Sequence, residues 1–304
     1  MNYTFIVNPK AGNGRVTKVL QLLKLEISTR RLDTEILFSE EPGHATRLAA
    51  TATGDVIVAV GGDGTINEVA NGIIGSSKVL GIIPSGSGND LIKSLGIPAD
   101  FHGAFSKFLG GKSILMDCAT VQCGVPNQTA EPGRYFLNGV GIGFDATVAE
   151  RSSRVRYITG TTRYVVAVLL TLGMYKSPTF KIALDSGSKV SKNLLIAIGN
   201  GRCAGGGFYL TPDAKIDDGY LDVCMIEEIS IPQILAIMPK VMKGKHVSEK
   251  EVTMDRAKII TVEAPEPFNV HADGEIIGRD VNAVRISIVE KGLNVIADGL
   301  WNQS

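Results

Sequence analysis

Residues 55–68 read DVIVAVGGDGTINE, an apolar run that ends in glycines set around one carboxylate. A strand that is apolar at nearly every position is buried on both faces, as a parallel strand is when helices cover it on either side. Gly61, Gly62 and Gly64 end the run, and residues 65–74 resume at helical spacing, so the stretch is one strand–turn–helix step. Upstream, residues 3–7 and 33–38 have strand character. Residues 15–27 and 44–52 read as helices, the first with Val16, Val19, Leu20, Leu23 and Ile27 on one face. Downstream come a strand at 79–83 and a helix at 89–95. This alternation is the pattern of βαβ units around a parallel sheet, whose ligands bind at the carboxyl ends of its strands.

From about residue 114 the pattern changes. Strand candidates at 114–122, 179–184, 194–199, 221–226, 259–262 and 284–289 are separated by turn residues, with helical stretches at 145–153, 161–174 and 231–242. That reads as an antiparallel sandwich interrupted by helices. The expected fold class is α/β plus β: an amino-terminal α/β domain over residues 1–120 and a carboxyl-terminal β-sandwich domain over 121–304, the boundary falling between 115 and 125.

The 31 Lys and Arg balance the 31 Asp and Glu, so no overall field draws the chain to nucleic acid, and any contact with an anionic surface must be local. The local candidate is Arg151, Arg154, Arg156 and Arg163, which reads first as a solvated helix face and second as a contact for lipid headgroups. Cys118, Cys123, Cys203 and Cys224 form no CxxC pair and are expected to be reduced core thiols. The longest apolar run, residues 164–172, falls far short of the ~20 residues of a membrane-spanning helix. Residues 1–7 are too short for a signal peptide. No transmembrane segment and a cytoplasmic location are expected, with room for transient membrane association; a homodimer is left open.

Three loops can carry chemistry. The first strand runs into Asn8, Pro9, Lys10, Ala11, Gly12, Asn13 and Gly14, where glycines at a strand-to-helix turn let amides face a phosphate. As a dinucleotide fingerprint it is incomplete, because Thr17 stands where the third glycine belongs, and Asp33 reads as ordinary turn chemistry. The third strand ends in Gly61, Gly62, Asp63, Gly64, Thr65, Ile66 and Asn67, allowing close approach of a polyphosphate while Asp63 addresses Mg²⁺ or a water. The fourth ends in PSGSGND at 84–90. All three fall on one edge of the expected sheet, and no Walker A ending is present. Farther on, HADGE at 271–275 offers Asp273 or Glu275 as a proton acceptor, and equally reads as a plain hairpin turn. Asp213, Asp217, Asp218 and Asp222 are either ligands for a hard cation or solvated turn acids.

Taken together, NPKAG at 8–12, EPGHA at 41–45, GGDGTINE at 61–68, PSGSGNDL at 84–91, GFDA at 143–146, PDAKIDDGYLDV at 212–223 and HADGE at 271–275 span nearly the whole chain. In this order they resemble the soluble bacterial lipid kinases of the diacylglycerol kinase catalytic-domain family, relatives of sphingosine kinases and, more distantly, NAD kinases. The resemblance implies a Rossmann-like first domain and a β-sandwich second domain, with ATP and a lipid acceptor meeting in the cleft between them. It implies that Asn8, Pro9, Lys10, Ala11, Gly12, Ser39, residues Gly61 to Asn67 and Ser87 hold ATP, Ser87 standing where threonine is usual and keeping the hydroxyl. It assigns the acceptor's proton to Glu275, places Asp63 at Mg-ATP, and puts a structural Mg²⁺ on the Asp218 side chain and the carbonyls of Lys215 and Tyr220. The acceptor is expected to be diacylglycerol or a related lipid alcohol at a membrane surface. The alternatives are an NAD kinase-like enzyme and a nucleotide- or lipid-binding regulator without catalysis.

Overall fold

The computed structural model describes residues 2–124, 133–154, 161–172 and 174–298. Arg156 lies outside the described residues, as do Gly173 and the side chains of Arg154, Arg163 and Val165. The chain forms two compact units, residues 1–117 with 291–304, and residues 118–290.

In the first unit, β1 (Tyr3–Val7), β2 (Thr34–Phe38), β3 (Val56–Gly61) and β4 (Val79–Pro84) make a parallel sheet in the order β2–β1–β3–β4. The connecting helices are α1 (Arg15–Arg30), α2 (His44–Thr51) and α3 (Asp63–Ile73), followed by α4 (Asp90–Leu95) and α5 (Phe101–Gly110). Every residue of β3 is buried, as its unbroken apolar sequence requires. Phe5, Val58, Val60 and Ile83 pack with Leu23 of α1 and with Phe101, Phe105 and Phe108 of α5 in one core. Because β1 has β2 on one side and β3 on the other, the sheet order reverses at β1, and the crevice of such a sheet opens outside the carboxyl ends of β1 and β3. Beyond β4 the sheet gains a fifth member late in the chain: Asn294 and Val295 pair in parallel with Val79 and Leu80.

The second unit is antiparallel. Its strands are β5 (Ser113–Gly124), which begins in the first unit, β6 (Arg134–Phe136), β7 (Gly139–Gly143), β8 (Thr179–Leu184), β9 (Gly187–Gly199), β10 (Leu221–Glu227), β11 (Val252–Ala257), β12 (Ile259–Ala272) and β13 (Glu275–Ile296), the last continuing into the first unit. The order is β11–β10–β9–β7–β12–β13, and β8 also pairs with both β9 and β12. Alternate residues such as Ile196, Ile198, Val223, Met225, Ile260, Val262, Val284 and Ile286 fill one core. The other face of β9 and β10, with Leu195, Ala197, Cys224 and Ile226, is covered by α6 (Phe144–Arg154), α7 (Thr161–Leu172) and α8 (Ile231–Val241). With both faces covered, the carboxyl half of β9, from Leu194, and β10 read as nearly continuous apolar runs rather than alternating ones.

Candidate functional site

In the first unit the three glycine-bearing loops touch one another through their backbones. Asn8 follows β1; its amide donates to the Val60 carbonyl at 3.1 Å and its side-chain Nδ2 to Thr65 Oγ1 at 3.1 Å, tying the first loop to the second. Its Oδ1 accepts from the Lys10 amide at 2.9 Å, which turns the loop. Gly12 has φ +63 and lies so close to the third loop that a side chain there would run into the Ser85 carbonyl. Gly62 and Gly86 meet directly: a Cβ on Gly86 would stand 2.5 Å from the Gly62 Cα. The loops sit at the ends of β1, β3 and β4, and α3 starts at Asp63, so its unpaired amino-terminal amides belong to the same edge.

Side chains at this edge divide into anchors and exposed groups. Asp63 Oδ1 accepts from the amides of Asp90 and Leu91 at 2.8 and 3.3 Å, capping α4, while Oδ2 lies on the Gly88 side. Ile66 is fully buried and Ala11 nearly so, and their amides donate to the Gly62 and Asn8 carbonyls at 3.0 and 3.1 Å. Asn67 is buried and its backbone carbonyl and Oδ1 accept from Asn71. Ser39, after β2, is buried, its amide bonded to the Val7 carbonyl at 2.9 Å, whereas Pro9, Lys10 and Ser87 are exposed. Ser85 carries a buried hydroxyl without a hydrogen-bond partner among the described residues. Arg15, read from the sequence only as the start of the first helix and not as a nucleotide-binding residue, donates to the Gly86 carbonyl at 3.3 Å; its position at the start of α1 could have flagged it as a cation beside a phosphate loop.

In the second unit Glu275 is the first residue of β13. It follows the two-residue turn Asp273–Gly274, both at positive φ (48° and 82°), the geometry in which a DG pair joins two antiparallel strands. The two acids of this hairpin differ. Asp273 receives the amides of Leu137, Asn138 and Gly139 at 2.9, 3.0 and 2.9 Å, so it locks the turn onto the β6–β7 connection. Glu275 projects to an exposed position where it pairs with Arg134 of β6, a partner no local sequence signal announces. Two residues before the turn, buried His271 bonds buried Asp145 through Nε2 and Oδ2 at 2.9 Å. A side chain on Gly141 of β7 would strike both.

The acidic loop before β10 is organised by Arg256 of β11. Arg256 pairs with Asp218, approaches Asp222 at 3.7 Å and lies over the Tyr220 ring, 4.8 Å from its centroid. Asp218 Oδ1 also accepts from the Tyr220 amide at 3.2 Å. Burial pushes the Asp222 carboxyl up to about 6, Arg256 pulls it the other way, and Asp218 and Asp213 add to the rise. Asp222 Oδ2 is buried without a hydrogen-bond partner among the described residues. Among those residues no three His, Cys, Asp or Glu side chains converge as a metal-ligand cluster; a site of one carboxylate and two carbonyls does not require one.

Comparison with known proteins follows the same division. The family model described as the diacylglycerol kinase catalytic domain matches residues 2–121, and that described as the YegS C-terminal NAD kinase beta sandwich-like domain matches residues 138–297. A diacylglycerol kinase of Mycobacterium tuberculosis (strain ATCC 25618 / H37Rv) is 31% identical over 278 residues, covering 90% of this chain and 88% of the relative. A solved structure from Bacillus anthracis str. Sterne, provisionally named a diacylglycerol kinase, superposes with TM-score 0.74 at 27% identity, covering 98% of this chain and 95% of that one. A yeast NADH kinase structure shares the fold, with TM-score 0.53 at 12% identity over 98% of this chain and 84% of its own.

Proposed function

Since the chain belongs to the diacylglycerol kinase catalytic-domain family, we propose that it transfers the terminal phosphate of ATP, with Mg²⁺, to the hydroxyl of a lipid alcohol such as diacylglycerol. The observation that carries this reading is the backbone contact of three glycine loops at the carboxyl ends of β1, β3 and β4. The unpaired amides at the start of α3 offer fixed donors to phosphate oxygens beside the Asn8–Gly12 turn, whose Asn8, Lys10 and Ala11 amides are spent holding the loop's shape, and Ser39 and Ser87 border them. Lys10 and Arg15 add positive charge. Glu275 is the proton acceptor: it takes the proton of the acceptor hydroxyl as the oxygen bonds to the terminal phosphorus, the bond from that phosphorus to the bridging oxygen breaks, and ADP leaves. Asp273 is unsuited to the task because three amides already occupy its oxygens.

Mg²⁺ would neutralise charge on the transferring phosphate, with Asp63 as the acid facing it. The Asp213–Asp222 loop fits a second, structural Mg²⁺, because it gathers the hard oxygen donors Asp213, Asp218 and Asp222 and leaves a buried Asp222 oxygen without a hydrogen bond among the described residues. The Asp218 carboxylate and the carbonyls of Lys215 and Tyr220 would hold it.

The test is transfer of label from ATP into a panel of extracted lipids with NAD as a competing acceptor. The expected result is label in a lipid alcohol. Label entering NAD alone assigns the chain to dinucleotide phosphorylation, and nucleotide binding without any labelled product makes it a regulator.

A further inference from the structure

Glu275 and Arg134 are brought together by two ladders that end at the same rim. In the β5–β6 ladder Arg134 stands opposite Val121, and in the β12–β13 ladder Glu275 stands opposite Ala272. Val121 and Ala272 both belong to the main core of the second unit. Directly opposed residues share a face of the sheet, so each charged side chain leaves its strand on the core side, where the core gives out to solvent: Arg134 is half-buried and Glu275 exposed.

The backbones beneath the two residues are held in place. Asp273 accepts the amides of Leu137, Asn138 and Gly139, so the hairpin that carries Glu275 is bonded to the segment leaving β6. Gly133, just before Arg134, lies so close to β5 that a Cβ there would stand 2.9 Å from Gln122 Cγ and 3.2 Å from the Val121 carbonyl oxygen. What is left to vary is side-chain rotation, and glutamate is among the side chains with the most of it. Arg134 binds one carboxylate oxygen of Glu275, Oε2, and no other described residue bonds that carboxylate, so Oε1 is open. An ion pair as exposed as this one adds little to stability, so its consequence lies in the rotamer it selects.

We propose that Arg134 is a positioning residue for phosphate transfer: it holds Oε2 of Glu275 so that Oε1 is presented to the acceptor hydroxyl. This rests on the reading of Glu275 as the proton acceptor. A base whose orientation is set by a further side chain is a recurring arrangement at sites of group transfer. Phosphoryl transfer depends on positioning more than on covalent chemistry by the protein, so a carboxylate fixed in one rotamer before the substrates arrive serves it better than a mobile one. Ordering Glu275 in advance removes a rotamer cost otherwise met on the way to the transition state, worth about tenfold in rate.

The experiment is a double-mutant cycle on the full chain, read as single-turnover transfer of label from ATP to a short-chain diacylglycerol in detergent micelles, with thermal melts and ATP titrations alongside. Arg134→Met, which keeps the length of the side chain and removes its charge, should slow transfer about tenfold with melting temperature and ATP affinity unchanged. Arg134→Lys, which returns the charge without the planar fork, should recover part of the loss. On the Glu275→Gln background Arg134→Met should have no further effect, because the group it places is already gone. Wild-type turnover in Arg134→Met overturns the proposal, as does an equal loss on both backgrounds, which would mean that Arg134 acts on something other than Glu275. A loss matched by weaker ATP binding or a lowered melting temperature overturns it too, and makes Arg134 a phosphate contact or a structural prop. Failure of the underlying reading looks different: Glu275→Gln at wild-type turnover removes the proton acceptor itself, and no transfer by the wild type removes the reaction, the positioning role falling with either.

Discussion

Glu275 and Asp273 stand two positions apart, and substitution should affect them in opposite ways. Glu275→Gln keeps the shape of an exposed side chain, so stability should hold within about 0.5 kcal/mol. Loss of a general base should slow transfer by about 10²- to 10⁴-fold with ATP affinity kept, measured by turnover and by nucleotide titration. Unchanged turnover would take Glu275 out of the mechanism. Asp273→Ala strips three amides of a charged acceptor; at about 1 kcal/mol or more for each, it should lower stability by roughly 3 kcal/mol in denaturant unfolding. The sequence could show a DG turn with an acid on each side of the glycine, because turn chemistry is local. It could not separate their roles, because what distinguishes them, Arg134 on one side and the Leu137–Gly139 amides on the other, comes from residues some 135 positions away. Arg256 was hidden for the same reason, its partners Asp218 and Asp222 lying more than thirty positions away.

At the scale of elements, strands apolar on both faces were the plainest to read: β3, β4 and β10 announce themselves as unbroken runs. Those the sequence hid have identifiable causes. β7 is GVGIG, whose glycines carry no strand preference and are there because Gly139 meets the Ile198 carbonyl and Gly141 meets the Asp145–His271 pair. β12 continues past Pro265 and Pro267 through shifts in register, and β13 passes through Asp280 and Lys291 at positive φ, so each appears in sequence as a short fragment of a long strand. α5 contains Gly103 and Gly110, poor helix formers, yet its phenylalanines make it a pillar of the first core. Phe108 sits edge-on to Tyr3 and Phe5 at centroid distances of 5.1 and 5.8 Å. Phe108→Ala should cost about 3–5 kcal/mol, read as a lowered melting temperature, and a loss under 1 kcal/mol would mean the helix is dispensable to that core.

For the molecule as a whole, the α/β-plus-β class follows from the change of periodicity near residue 114, since the pattern that marks each half is repeated several times within it. Two groups act on its response to pH with opposite sign: Asp222, raised to about 6, adds stability as pH falls through that value, and a buried histidine removes it. His246 is wholly buried against the Leu210 carbonyl and Cys224, and burial holds its pKa below 6.5 despite Glu249 nearby. The folded state therefore favours the neutral ring; the stability it contributes is complete above pH 6.5 and is lost as pH falls through the depressed value, because the unfolded chain takes the proton more readily. Thermal unfolding followed from pH 8 to pH 5 should show this acid limb, and His246→Gln should flatten it. Added Mg²⁺ should raise the melting temperature relative to EDTA, and Asp218→Asn should remove the difference; an equal shift in that variant would place the cation elsewhere.

The pairing of Asn294 and Val295 with β4 also bears on the order in which the protein is made. Translation delivers residues 1–117 first, but the outer edge of that sheet stays open at Val79 and Leu80 until about 180 further residues have left the ribosome, on the order of tens of seconds at ordinary elongation rates. An unpaired strand edge of this length invites other chains. A nascent or truncated first unit lacking residues 291–296 should therefore be the aggregation-prone form of this protein, and a separately expressed first unit needs that closing strand grafted back onto it.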